Sequence, residues 1–212
     1  MAFRGWPPTA LEFYEGLEAD NSKSYWLAHK EIYERDVKAP MVELLDELAG
    51  EFGEGRLFRP YRDIRFSPDK SPYKTSIAAT TGSGYIHLSA EGLMVGAGRY
   101  HLEGRELDRY RQAVDDDGSG EELERIVREL RAARLDVHGT DALKKAPQGY
   151  ASDHPRVELL RYKGVVVMKA WPVAAWLGTP AAKKRVVDVL RAAAPLVGWL
   201  ARHVGPSTAE GA

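Results

Sequence analysis

The sequence predicts an α+β domain: a mostly antiparallel sheet of about four to five strands, with helices packed on its apolar face. Three observations predict it. Apolar residues recur at helical spacing near both ends of the chain. Between them, over residues 57–98, the period falls to two. The resulting order of helices, sheet, helices, strand, helix keeps elements of one kind together instead of alternating them as βαβ units. With 212 residues, the chain suits one domain of ordinary size, 1–204, followed by a flexible C-terminal tail at 205–212.

The elements follow in order. Thr9-Ala-Leu-Glu12 reads as a capping box, the Thr hydroxyl accepting from a first-turn N–H while Glu12 reaches back. A short helix through Leu17 follows. Asn21 and Ser22 open a longer helix, with Trp26, Tyr33, Val37, Met41, Leu44, Leu45 and Leu48 on or near one stripe. Pro40 has no amide hydrogen to donate, so this helix kinks or restarts there. Ile64 and Phe66 then alternate with Asp63 and Arg65, and Ile86, Leu88 and Ala90 with Tyr85, His87 and Ser89. Turn signals at 81–84 and 91–92, and a further strand at 93–98, complete a meander of three or four strands.

Helices return at Gly104, where Leu107, Tyr110 and Val114 share a stripe. Ser119-Gly-Glu-Glu122 is a second capping box, ahead of Leu123, Ile126, Val127 and Leu130. The acids just before it suit a helix N-terminus and a solvated loop better than a cation site. Asp153-His-Pro155 reads as a helix start and Gly164 as a stop. Val165, Val166, Val167 and Met168 form a buried strand, and Thr179-Pro180 caps a last helix carrying Val186, Leu190, Ala193, Val197 and Leu200.

Composition excludes several classes. Hydrophobic residues at 44% and charged residues at 29% rule out wholesale disorder. A net charge of -1 gives no global attraction to nucleic acid or membrane. The absence of cysteine removes disulfides, thiolate metal sites and Cys nucleophiles, and fits a reducing compartment. The N-terminus carries no apolar signal region, and the longest mostly apolar stretch, 191–201, is too short for a bilayer and contains Pro195. A cytoplasmic protein with no membrane partner is expected; the oligomeric state is left open.

One segment departs from this evenness. Residues 59–76 hold five cations (Arg59, Arg62, Arg65, Lys70, Lys74) against Asp63 and Asp69, with three prolines and two tyrosines. In a strand through residues 61–67, alternation places Tyr61, Asp63, Arg65 and Ser67 on one face, where Arg65 would join Tyr85 and His87. Arg62 would point the other way and need a carboxylate partner or a sheet edge. Prolines stiffen the following loop, which lowers the entropy lost when Lys70 and Lys74 are held for a ligand. Arg supplies a bidentate fork and Lys a point charge for phosphate or carboxylate. The candidate ligand-binding set is therefore Arg62, Arg65, Lys70, Lys74, Tyr73 and Tyr85. Trp26, Lys30 and Tyr33 form a wall, by their spacing of four and three. No catalytic residue is assignable, though His87 and Asp63 are candidates, His87 because its ordinary pKa suits proton transfer at neutral pH.

Arg62-Asp-Ile-Arg65-Phe-Ser-Pro-Asp-Lys70-Ser-Pro-Tyr-Lys74-Thr resembles the hallmark of the domain-of-unknown-function family numbered 2461, whose pattern is close to R-D-x-R-F-S-x-D-K-x-P-Y-K-T. The resemblance runs roughly over residues 13–168. It takes in an F-Y-E-G-L-E-A-D-N element, a Trp-containing helix (Trp26, Lys30, Tyr33), a glycine turn (Gly96, Gly98, Tyr100) and a Pro147, Gly149, Tyr150, Asp153, His154, Pro155 segment. Asp20-Asn21 stands where the usual pattern has two asparagines, which bears on the cap of the second helix. The resemblance implies no particular reaction, cofactor or catalytic residue.

Other motifs are weaker. Gly96-x-Gly98 lacks a third glycine and sits in a strand, so it reads as a bulge or a close backbone approach, not a dinucleotide fingerprint. The six histidines match no familiar zinc spacing, so no metal and no cofactor is expected. No G-x-S-x-G nucleophile elbow is present. Three readings of the cationic segment remain: a pocket for a small anion, a set of internal salt bridges in a structural or interaction domain, and a single-strand nucleic-acid platform. The absence of an extended basic stripe and the acids near Asp116 weigh against nucleic acid.

Overall fold

The computed structural model describes residues 2–65, 68–82 and 84–205. Phe66, Ser67, Ser83 and residues 206–212, which include most of the expected tail, lie outside the described residues. The architecture is α+β. The sheet has six strands, in the order β1-β2-β3-β4-β6-β5, rather than four to five. The period did not reveal β2 (Ser76–Thr81), nor two short strands, β1 (Gly55–Leu57) and β5 (Asp136–Gly139). Each of the two short strands contains one apolar residue, too few for alternation to register. The chain divides into two compact units, Met1–Val95 with Ala170–Asp188, and Gly96–Lys169 with Val189–Ala212.

The first unit begins with α1 (Pro8–Ala19) and α2 (Lys23–Ile32). Thr9 does not cap α1: Pro7 holds that position, and the Thr9 hydroxyl donates instead to Asp36 Oδ2 at 2.7 Å. Ser22 caps α2 by accepting from the Tyr25 amide at 3.1 Å. A π-helical turn (Tyr33–Lys38) leads into α3 (Ala39–Phe52). The restart expected at Pro40 is therefore a widened turn, which accommodates the missing amide donor. Trp26, Tyr33, Val37, Met41, Leu44, Leu45 and Leu48 are all buried.

β2 (Ser76–Thr81) pairs antiparallel with both β1 and β3 (Gly84–Ser89), in register Ala78↔His87 and Thr80↔Tyr85 with β3. Ile77, Ala79, Ile86 and Leu88 face the helices and are buried. The other face carries Ala78, Thr80, Tyr85 and His87. The strand expected through Ile64 does not form: Tyr61↔Tyr73 is an isolated bridge, and Pro60, Pro68 and Pro72 deny the ladder its donors. β4 (Gly92–Arg99), β6 (Val165–Pro172) and α7 (Ala181–His203) each belong in part to this unit and in part to the second, and a 3₁₀ turn (Ala175–Gly178) precedes α7. Thr179 caps α7, its hydroxyl accepting from the Ala181 amide at 3.2 Å.

The second unit holds α4 (Gly104–Asp115) and α5 (Asp117–Ala132). Asp116, not Ser119, caps α5: its carboxylate accepts from the Ser119 amide at 2.9 Å. An acid completes the N-terminal cap and complements the helix dipole. The helix expected from Asp153 is a single turn, α6 (Val157–Leu160). Ahead of it, the buried Arg156 donates to the Val114 and Asp115 carbonyls at 2.6 and 2.8 Å. In α7 the buried line runs through Ala193, Leu196, Trp199 and Leu200, while Val197 is half-buried.

Candidate functional site

The site lies in the first unit and starts from an aromatic anchor. Tyr73 stacks flat on Trp26, ring centroids 4.4 Å apart and planes 6° apart, and Trp26 contacts Tyr33 and Phe13 at 4.8 and 5.8 Å. Trp26, Tyr33 and Tyr73 are 3%, 3% and 6% exposed. All three are packed in the core; of the wall expected from Trp26, Lys30 and Tyr33, only Lys30 is exposed. Asn21 completes the anchor. Its amide donates to the Tyr73 carbonyl at 3.1 Å and its oxygen accepts from the Tyr73 amide at 3.0 Å, the bonding pattern of a neighbouring strand.

The cationic loop closes on this anchor. The Arg62 amide donates to the Pro72 carbonyl (2.9 Å) and the Lys74 amide to the Pro60 carbonyl (2.8 Å), tying the base of the loop. Within it, Arg62 pairs with Asp69, and Arg65 forms a two-pronged contact with Asp63 at 3.0 and 2.6 Å. The Lys70 ammonium donates to the Ile64 carbonyl at 2.9 Å. Asp69 also accepts from the Ser71 hydroxyl and amide, which together with Arg62 hold its carboxyl well below the usual range. Asp63 is likewise held low by the Arg65 side chain and amide. Both ion pairs are solvent-exposed, where such pairs contribute little.

Lys74 takes a different course. Its ammonium lies 5.6 Å from the centroid of the Phe58 ring. The Phe58 ring is 6.4 Å from Tyr85, and Tyr85 is 6.2 Å from His87, their planes 24° apart. Phe58 reaches this row because its amide bonds the Ala78 carbonyl at 2.9 Å, extending the pairing of β1 by one residue. The result is a line of three rings ending in an ammonium on the sheet face away from the helices. Burial, and then the charge of Arg59, pushes the Lys74 pKa below its ordinary value. Burial pushes the Tyr85 phenol up and the His87 imidazole down, so the first stays protonated and the second neutral near pH 7. Among the described residues, no carboxylate lies within ion-pair distance of Lys74 or Arg59.

Of the residues expected from sequence, the structure thus brings Tyr85, His87 and Lys74 into one row, and Trp26, Tyr33 and Tyr73 into the core beside it. Arg62, Arg65 and Lys70 are bonded within their own loop, as is Asp63. Phe58, Arg59 and Asn21 were not expected as part of the site. Reading residues 55–58 as a strand would have revealed Phe58; nothing local points to Asn21. In the second unit, a groove of about 570 Å³ at the start of α5 is lined by Gly118, Glu121, Glu122, Glu124, Arg125 and Arg128, none of them a predicted site residue. No helix among the described residues is long and apolar enough to cross a membrane. Among them, no group of three or more His, Asp or Glu side chains is arranged to hold a metal ion.

No curated protein and no solved structure matches the chain. A family model does, over residues 9–199, a span that includes the closed loop, its aromatic anchor and the ring row. The chain belongs to the family described as conserved hypothetical protein (DUF2461).

Proposed function

We propose that the protein binds a small anionic molecule, bearing phosphate or carboxylate and a planar group, on the sheet face formed by Phe58, Lys74, Tyr85 and His87. The observation that carries this reading is the half-buried Lys74 ammonium, which faces an aromatic ring and the neighbouring charge of Arg59. A cation in that setting is costly to keep charged, and an incoming anion relieves the cost. Rings beside it offer a floor on which a planar ligand stacks. The loop cations fit a second reading, that of internal structure. Arg62 and Arg65 each meet a carboxylate of the same loop, and Lys70 meets a carbonyl.

Phenyl phosphate and benzoate test the proposal by isothermal titration calorimetry. The Lys74→Met and Arg59→Met variants are expected to weaken binding of either probe by at least about tenfold, the worth of one charge-assisted contact. Arg65→Ala is expected to retain binding within about threefold. Failure of the native protein to bind either probe at millimolar concentration, or undiminished binding by Lys74→Met, would overturn the proposal.

A further inference from the structure

We infer that Lys74 is an amine nucleophile, and that the anion held on this face carries a ketone or aldehyde with which Lys74 forms an imine. The inference rests on the anion-binding reading and adds a reaction class to it. The geometry comes first. Lys74 is fixed at its backbone by the bond from its amide to Pro60, and its neighbour Tyr73 is locked on Trp26 and Asn21. Its nitrogen therefore emerges from an anchored position onto the ring row, instead of from a free loop tip. Lys70, four residues earlier, donates to a carbonyl, and Lys38, Lys183 and Lys184 sit on carboxylates. Lys74 has a ring and a second cation as neighbours.

Burial and the charge of Arg59 favour the unprotonated amine, the form that has a lone pair to give. A lysine becomes reactive by loss of solvation or by proximity to another cation, and both causes act here. The step balances without an oxidant or metal. The Lys74 lone pair forms a bond to the carbonyl carbon while the C=O π pair moves to oxygen. One N–H proton passes to that oxygen, giving a carbinolamine. The hydroxyl then takes a second proton and leaves as water, and the nitrogen lone pair closes the C=N⁺ bond, with one hydrogen left on nitrogen. Solvent water carries these protons, on a face that also holds a protonated phenol, Tyr85, and a neutral imidazole, His87. The anionic group of the ligand lies toward Arg59, which also sets its carbonyl near Lys74.

Reductive trapping tests this. Native protein is incubated with phenylpyruvate and sodium cyanoborohydride near pH 7, and the adduct is mapped by peptide mass spectrometry. The expected result is modification concentrated at Lys74, at least tenfold above any other lysine, and suppressed by excess phenyl phosphate. Lys184→Gln is expected to leave the labelling unchanged, and Lys74→Arg to remove it while retaining part of the phenyl phosphate binding. Even labelling across surface lysines would overturn the inference. If phenyl phosphate binding depends on Lys74 and no adduct forms there, imine chemistry fails and the anion site stands. If Lys74 is trapped but phenyl phosphate neither binds nor suppresses the adduct, the amine chemistry stands and the anion site fails.

Discussion

The Asn21 side chain ties the backbone of the hallmark loop, beside the stack of Tyr73 on Trp26. It supplies one donor and one acceptor to the backbone of Tyr73, a residue only 6% exposed. Removing it leaves a buried amide and carbonyl without partners, and an unsatisfied buried group costs about 1–3 kcal/mol. Asn21→Ala is expected to lower stability by an amount in that range, measured by urea denaturation. It should also accelerate hydrogen exchange at the Tyr73 amide more than at strand amides such as Ile86. Asn21→Asp keeps the acceptor and loses the donor, so its Tyr73 amide should remain the more protected of the two. Equal exchange at Tyr73 in wild type and Asn21→Ala would show that the Trp26 stack alone fixes the loop. The role of Asn21 was not legible in the sequence because its partner is 52 positions away. Locally it reads as a helix cap, and Ser22 takes that part. Thr9 is the same kind of case, since Asp36 draws its hydroxyl away from the cap that the sequence favours.

Elements with strong periodicity were readable, and those whose shape depends on backbone approach were not. The stripe from Trp26 to Leu48 is buried as its spacing implies, because helix burial follows from side-chain angle alone. Residues 61–65 follow the period of a strand, yet proline chemistry and ion pairing within the loop prevail over alternation. Charge spacing likewise showed that residues 59–76 are unusual, but not that Lys74 would turn onto the ring row. The glycine pair of β4 was legible as a close approach. Gly98 has φ of +121°, and a Cβ there would come within 2.3 Å of the Val165 carbonyl on β6. Both the dihedral and the space exclude a side chain. At Gly96 the nearest atom, the Val167 carbonyl, is 3.2 Å away. Gly98→Ala is accordingly expected to destabilise the fold by more than about 1 kcal/mol, and Gly96→Ala by clearly less. Their urea midpoints provide the comparison, and equal losses would remove strain as the explanation.

For the molecule as a whole, acid sensitivity follows from groups distributed over both units. His87 is pushed below its ordinary pKa by burial. The unfolded chain therefore takes up a proton there first, so its contribution is present above about pH 6.5 and is lost as pH falls through the folded value. The carboxylates act later. Asp36 is held low by Arg35 and Thr9, Glu47 by Lys183 and the Phe3 amide, and Glu158 by Tyr162 and Arg131. Each has a folded pKa below its unfolded value. Their stabilisation is complete above about pH 4.5 and disappears as pH falls through the folded values. The net charge of -1 means that no large excess of one sign masks these local effects near neutrality. Urea midpoints measured from pH 8 to pH 3 should thus decline slightly from about 6.5 and fall steeply below about 4. In His87→Gln the upper decline should vanish while the lower one remains, since the carboxylates are untouched. A midpoint that stays level down to pH 3 would mean that these carboxylates are as well served in the unfolded chain as in the folded one, and the pairs described for Asp36, Glu47 and Glu158 would then hold nothing together in solution.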